Sequence, residues 1–197
     1  MAATSPIIVR CASCGARNKI PPEKTGVPAK CGKCGSLLKR DDAQASAGQV
    51  FLVRCTECGT KNRIPGEKIT TGPICGKCGA RLHTEDLFDG RALTITDGNF
   101  EEKVTKSPLP VLLFAWAPWC PTCRRFIPEV DKYASVSKGR VRVGKLNVDA
   151  NPGLSSKYGI LSVPFIFIFD NGQLKESMPG AMQQHELMMK MAHYISP

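Results

Sequence analysis

The chain reads as an α/β domain, a central mixed sheet flanked by helices, set behind two small cysteine-rich modules. Three features carry that reading. Eight of the ten cysteines fall into two copies of one pattern within the first 78 residues. Strand-like and helix-like apolar patterns alternate over residues 91–197. The other two cysteines, Cys120 and Cys123, stand where an apolar run, Val111 to Trp116, gives way to a helical pattern. At 197 residues and 42% hydrophobic content, there is room for one domain of ordinary size and something smaller.

The first module spans 1–40 and the second 50–83, with 41–49 between them and 84–90 leading to the α/β domain at 91–197. Val9-Arg10-Cys11-x-x-Cys14-Gly15, followed by Asn18, Ile20 and Pro21, recurs 44 positions later as Val53-Arg54-Cys55-x-x-Cys58-Gly59, followed by Asn62, Ile64 and Pro65. Cys31-Gly-Lys-Cys34-Gly35 likewise recurs as Cys75-Gly-Lys-Cys78-Gly79. Each copy therefore offers two Cys-x-x-Cys pairs with 16 residues between them, the spacing of a tetrahedral zinc site with four sulfur ligands. The glycine after each pair permits the positive φ of a tight knuckle. A rubredoxin-like iron centre and redox-active cysteine pairs are the alternatives. Two zinc ions are the expectation, and modules this small would depend on them for much of their folding energy. His83, five residues beyond Cys78, is not needed as a ligand because four cysteines complete the shell. Residues 39–48 and 83–90 read as connections outside any core.

In the α/β part, a strand is expected from Arg91 to Ile95, a short helix from Asn99 to Lys106 and a buried strand from Val111 to Trp116. A helix follows the cysteines. A strand from Val141 to Val148 and a helix from Gly153 to Tyr158 come next. Phe165 to Phe169, the Asn171-Gly172 turn and Leu174 to Ser177 form a hairpin, and Gln184 to Ile195 a closing helix. Its methionines read as packing. Cys120 would sit at a helix N-terminus, where partial positive charge and free N–H groups stabilise a thiolate, and is the expected nucleophile. Cys123, one turn on, is the expected resolving thiol. Pro121 suits the first helical turn.

Trp116-Ala-Pro-Trp119-Cys120-x-x-Cys123, Pro128, Lys145-Leu-Asn-Val-Asp149, Tyr158-Gly-Ile-x-x-Val163-Pro164, Phe169-Asp-Asn-Gly172 and Gly180 resemble the thioredoxin family in order and spacing over roughly 91–195. A zinc ribbon ahead of such a domain, with a Leu87-Phe-Asp-Gly90 joint, resembles the zinc-binding thioredoxin 2 type, from which this chain departs by carrying a second ribbon. The resemblance implies a thioredoxin fold, a cis Val163–Pro164 bond facing the dithiol, and a substrate-facing set of Trp119, Pro121, Thr122, Val163 and Pro164. It implies protein-disulfide reduction with thioredoxin reductase or a similar electron donor. Family members commonly bury an aspartate where this chain has Phe114. With no carboxylate beside it, Lys145 is the candidate proton acceptor for Cys123.

The start, Met1 to Arg10, lacks a charged n-region and has only three consecutive aliphatic residues, and no run reaches membrane-spanning length, so a cytoplasmic setting is expected. Thiols there stay reduced, which favours metal ligation and catalysis over structural disulfides. The formal charge of +10 raises the question of nucleic acid. Each four-thiolate zinc site carries a net charge of −2, so two sites lower the total to about +6. The ribbon half has only Phe51 and Phe88 as aromatics, which argues against stacking on bases. The rival to a reductase is a zinc-ribbon adaptor, binding protein or nucleic acid, whose thioredoxin domain is a weak or regulatory redox module.

Overall fold

The computed structural model describes residues 7–10, 16–20, 30–35, 49–84 and 86–195, in two compact units, Met1–Ala47 and Gly48–Pro197. In the first unit, β1 (Ile7–Arg10) and β2 (Arg17–Ile20) form an antiparallel hairpin with Val9 opposite Asn18. In the second, β3 (Val50–Arg54) and β4 (Lys61–Pro65) repeat that hairpin with Val53 opposite Asn62. Alternation along β3 and β4 buries Phe51, Val53, Asn62 and Ile64.

Five further strands make a mixed sheet in the order β5-β7-β6-β8-β9. β5 (Leu93–Ile95), β6 (Val111–Trp116) and β7 (Arg142–Asn147) are parallel, and β8 (Phe165–Asp170) and β9 (Gln173–Pro179) run antiparallel. Three helices accompany them: α1 (Pro121–Val136), α2 (Pro152–Lys157) and α3 (Gln184–Ile195). The helix expected over 99–106 is a single π-helical turn, Glu101–Thr105, whose backbone N–H of Lys106 donates to Glu101 O at 2.8 Å. Pro108 and Pro110, just beyond, prevent its extension.

The continuous apolar run of β6 is explained by burial on both faces. Leu112 and Phe114 point into a core that α1 and α3 complete with Val130, Tyr133, Leu187 and Met191. Val111, Leu113 and Ala115 point the other way, into a core with Phe100, Leu154, Phe167 and Phe169. Met191 packs as expected, whereas Met188 and Met189 are exposed.

A third core joins the second ribbon to this sheet, so the two form one compact unit. Phe51, Val53, Ile64 and Leu82 pack with Leu87 and Leu109, and the Phe51 and Phe88 rings meet edge-on at 4.9 Å. The expectation that 83–90 lies outside any core is therefore corrected: Thr84 and Leu87 are buried, and Leu87 O accepts the Gly139 N–H at 2.8 Å. Two apolar residues in a polar segment carry no periodicity, so the packing had no sequence signature. Asp86 adds ion pairs to Arg142 at 2.8 Å and Lys103 at 3.1 Å. Arg54 donates its backbone N–H to Pro108 O at 2.8 Å and pairs with Asp170 at 3.1 Å. These contacts put the ribbon where β6 begins and β8 ends.

Candidate active site and metal centre

The other end of β6 delivers the dithiol. Cys120 is the N-cap of α1, Pro121 is the first helical residue, and the Cys123 N–H donates to Cys120 Sγ at 3.1 Å. The two cysteines are joined as a disulfide with their Cα atoms 5.3 Å apart. Cys120 is 4% exposed and Cys123 fully buried, so Cys120 is the sulfur a partner can reach. The Val163–Pro164 bond is cis, and Val163 O lies 3.8 Å from Cys120 Sγ. Trp119 is 65% exposed and donates Nε1–H to Asp149 Oδ1 at 3.3 Å. Pro121 is exposed, while Thr122, Val163 and Pro164 are half-buried. The sequence-predicted dithiol and Val163–Pro164 thus come together, with Trp119, Pro121 and Thr122 adjoining them in the chain.

Lys145 does not fit its expected part. Its Nζ donates to Asp131 Oδ1 at 2.8 Å, so a carboxylate does stand beside it and the premise for a neutral amine is overturned. Asp131 lies on α1, fourteen residues away in the chain, and no local pattern announces the pair. Phe114, 1% exposed, packs in the same cluster as both cysteines, which fills the family's aspartate position with hydrocarbon.

In the second ribbon, the sulfurs of Cys55, Cys58, Cys75 and Cys78 all lie within 4.8 Å of one another. Cys55 and Cys78 sulfurs are 3.7 Å apart, and those of Cys58 and Cys75 are 3.6 Å apart. A tetrahedron with Zn–S bonds of about 2.3 Å needs sulfurs about 3.8 Å apart, so the set fits zinc. Gly59 and Gly79 hold the positive φ expected of them, +70° and +74°, and Gly35 does so in the first ribbon at +73°. Backbone N–H groups of Cys78 and Lys77 lower the Cys75 thiol to about 6. The Ala80 amide also favours the Cys78 thiolate, but the Cys58 sulfur, desolvation and the Cys55 and Cys75 sulfurs outweigh it and push Cys78 up. Held as four thiolates, this set would need a divalent cation between them. His83 is exposed and outside the cluster.

Asn62 is a residue whose role sequence reasoning missed. It donates Nδ2–H to Cys75 Sγ at 3.6 Å and accepts the Gly76 N–H at 2.9 Å, tying one knuckle to the hairpin. Asn18 does the same for Cys31 and Gly32, at 3.5 and 2.9 Å. Its recurrence in both copies of the repeat was the available signal. In the first ribbon Cys31 is buried and Cys34 exposed, whereas Cys11, Cys14 and Gly15 lie outside the described residues.

Comparison with known proteins agrees with this geometry. The thioredoxin family profile matches residues 91–193, and that of the thioredoxin 2 N-terminal zinc ribbon matches twice, at 10–36 and 54–80. A thioredoxin of Rickettsia felis is 41% identical over 97 residues, covering 49% of this chain and 92% of the relative. One from Synechocystis sp. is 42% identical over 101 residues, 51% of this chain and 94% of the relative. The chloroplastic M-type thioredoxin of Spinacia oleracea is 38% identical over 103 residues, 52% of this chain and 57% of the relative. With a matched profile over half its length and a dithiol at the N-terminus of α1, this chain belongs to the thioredoxin family and is a protein-disulfide reductase.

Proposed function

We propose that reduction proceeds by dithiol exchange in which Cys120 attacks and Cys123 resolves, with Trp119, Pro121, Thr122, Val163 and Pro164 receiving the substrate. The observation that carries this is the position of Cys120 as N-cap of α1, accepting an N–H bond and more open than Cys123. An N–H donor and the helix dipole lower the energy of a thiolate at that atom. The Cys120 thiolate forms a bond to one sulfur of the substrate disulfide, and the other substrate sulfur leaves as a thiolate. Cys123 then loses its proton and attacks Cys120, expelling the second substrate thiolate. Two electrons have moved to the substrate, leaving Cys120 and Cys123 as a disulfide that a reductase partner returns to the dithiol. The cis bond and the 3.8 Å approach of Val163 O to Cys120 favour docking of an extended chain beside the sulfur.

Each ribbon would hold one zinc ion, through Cys11, Cys14, Cys31 and Cys34 in the first and Cys55, Cys58, Cys75 and Cys78 in the second. The metal would supply folding energy there and no redox step. Contacts of the second ribbon with Pro108 and Asp170, at the sheet end away from Cys120, favour recruitment of partners over tuning of the dithiol. Domain bounds of 1–40, 50–83 and 91–197, with the connecting stretches between, go with this division of labour.

Insulin reduction by the full chain with a reductase partner tests the exchange. Cys120→Ser is expected to abolish turnover and Cys123→Ser to accumulate a thiol-cleavable adduct with substrate. The opposite pattern would reverse the two roles. Elemental analysis is expected to return two zinc equivalents per chain, and iron in their place would overturn the zinc assignment.

A further inference from the structure

The outward face of the β3–β4 hairpin does not look into open solvent along its whole length. Register places Leu52 opposite Arg63 and Arg54 opposite Lys61 on that face. Across from it stand Pro108, Pro110 and Arg140, with Tyr194 and Ile195 of α3, and the two walls enclose a cleft of about 160 Å³. Its chemistry is divided. Leu52, Pro108, Pro110 and Ile195 supply apolar lining, and Val50, at 54% exposure, continues it outward. Lys61, Arg63 and Arg140 are exposed around it and have no carboxylate partner among the described residues. Arg54 and Asp170, also in the lining, neutralise each other at 3.1 Å, so the three outer cations set the sign of the cleft. Polar residues are expected on the solvent face of a hairpin, but a leucine and a half-exposed valine between unpaired cations are not explained by solvation.

We infer that this cleft between the second ribbon and the base of the sheet is a docking surface for an acidic, partly apolar polypeptide segment. The proposal rests on the reading of the ribbon as a recruiting element and gives that reading a place and a partner chemistry. Carboxylates of an extended segment meet Lys61, Arg63 and Arg140, while its alternate apolar side chains lie on Leu52 and the two prolines. A phosphate backbone would satisfy the cations but leave the apolar lining uncovered, and Tyr194 is the one aromatic among the described lining residues, which offers a run of bases no stacking platform. The position is also useful to a reductase. A client held at this end of the sheet leaves the Cys120 face open for its disulfide.

The test uses the full zinc-loaded chain and a fluorescein-labelled ten-residue peptide of alternating glutamate and leucine, followed by anisotropy. Binding is expected to be tighter than for the matching lysine–leucine peptide and to weaken with salt. Lys61→Glu with Arg63→Glu should weaken it at least about tenfold, since the reversal sets like charges face to face. The first ribbon supplies an internal control. It carries Lys19 opposite Ile8 and Arg17 opposite Arg10, so Arg17→Glu with Lys19→Glu makes the same change of net charge on the other hairpin. That pair is expected to change affinity less than about threefold. Equal losses from both pairs, or equal binding of acidic and basic peptides, would overturn the proposal. So would tighter binding of a thymidine 20-mer that is lost in the same Lys61/Arg63 variant. Cys120→Ser is expected to abolish insulin reduction and leave peptide binding unchanged, so peptide binding decides the surface and insulin reduction decides the dithiol, and either can fail alone.

Discussion

Phe114 puts hydrocarbon against the dithiol. It packs with Cys120 and Cys123 at 1% exposure, and the nearest-register lysine, Lys145, is committed to Asp131. Among the described residues no carboxylate is hydrogen-bonded to Cys123, so in the proposed exchange its proton leaves without a bonded acceptor before the mixed disulfide is resolved. Because the thiolate is the attacking form, stopped-flow release rates are expected to climb as pH rises, and Lys145→Met should leave the curve within about threefold, well short of the 10²–10⁴ that a positioned proton acceptor is worth. A larger shift would restore a proton-transfer role to Lys145. Phe114→Asp trades a filled core site for a cavity and a desolvated carboxyl, and is expected to cost at least about 3 kcal/mol in urea unfolding.

At the scale of elements, the joint between ribbon and sheet adds to its apolar core a close approach at Gly139 and the ion pairs of Asp86 and Arg54. Gly139, at φ +72°, brings its backbone against Phe88 and Phe51, and a β-carbon there would come within 2.8 Å of the Phe51 ring. Gly139→Ala is expected to destabilise the second unit by about 1–3 kcal/mol, read as a fall in its thermal midpoint. Burial raises the Asp86 carboxyl, but the Arg142 guanidinium and the Lys103 ammonium outweigh it and hold it below its ordinary 3.8. A lowered folded-state value means that this stability is present above about pH 4 and is lost as pH falls through the depressed value. Asp86→Asn, which leaves the buried Arg142 without its carboxylate, should cost about 2 kcal/mol at neutral pH and make the acid limb of the stability curve shallower. β6 and α3 were legible to their end residues because each is one uninterrupted pattern, and the cysteine pairs and the Val163–Pro164 bond were legible from spacing and family resemblance. What escaped was carried by pairs remote in the chain: Arg54 with Asp170, 116 residues apart, Arg142 with Asp86, 56 apart, and Asp131 with Lys145. Charged residues have no periodicity that names a partner, so these contacts emerge only once the strands have been ordered.

Across the whole second unit, the metal centre and the dithiol occupy opposite ends of the same strand. Pro108 and Leu109, just before β6, take part in the ribbon's packing, and six residues of β6, about 20 Å, lead to Trp116 and the active-site turn. Cys55 and Cys75 belong to the core that Phe51, Leu82, Leu87 and Leu109 share, so loss of a metal held by these cysteines would loosen the base of the sheet first. Cores transmit such loss by withdrawn packing, and neighbouring apolar contacts weaken before distant ones. Among the described residues no ribbon side chain belongs to the cluster around Cys120 and Cys123. Chelation of zinc is therefore expected to lower the thermal midpoint of the full chain by about 5 °C or more while leaving insulin reduction at 25 °C within about twofold of the zinc-loaded protein. Cys55→Ser with Cys75→Ser, which spares the first ribbon, should reproduce both effects. Activity that falls in step with zinc release at a temperature where circular dichroism shows the sheet intact would mean instead that the ribbon acts on the dithiol directly, and the separation of the two ends would then not insulate one from the other.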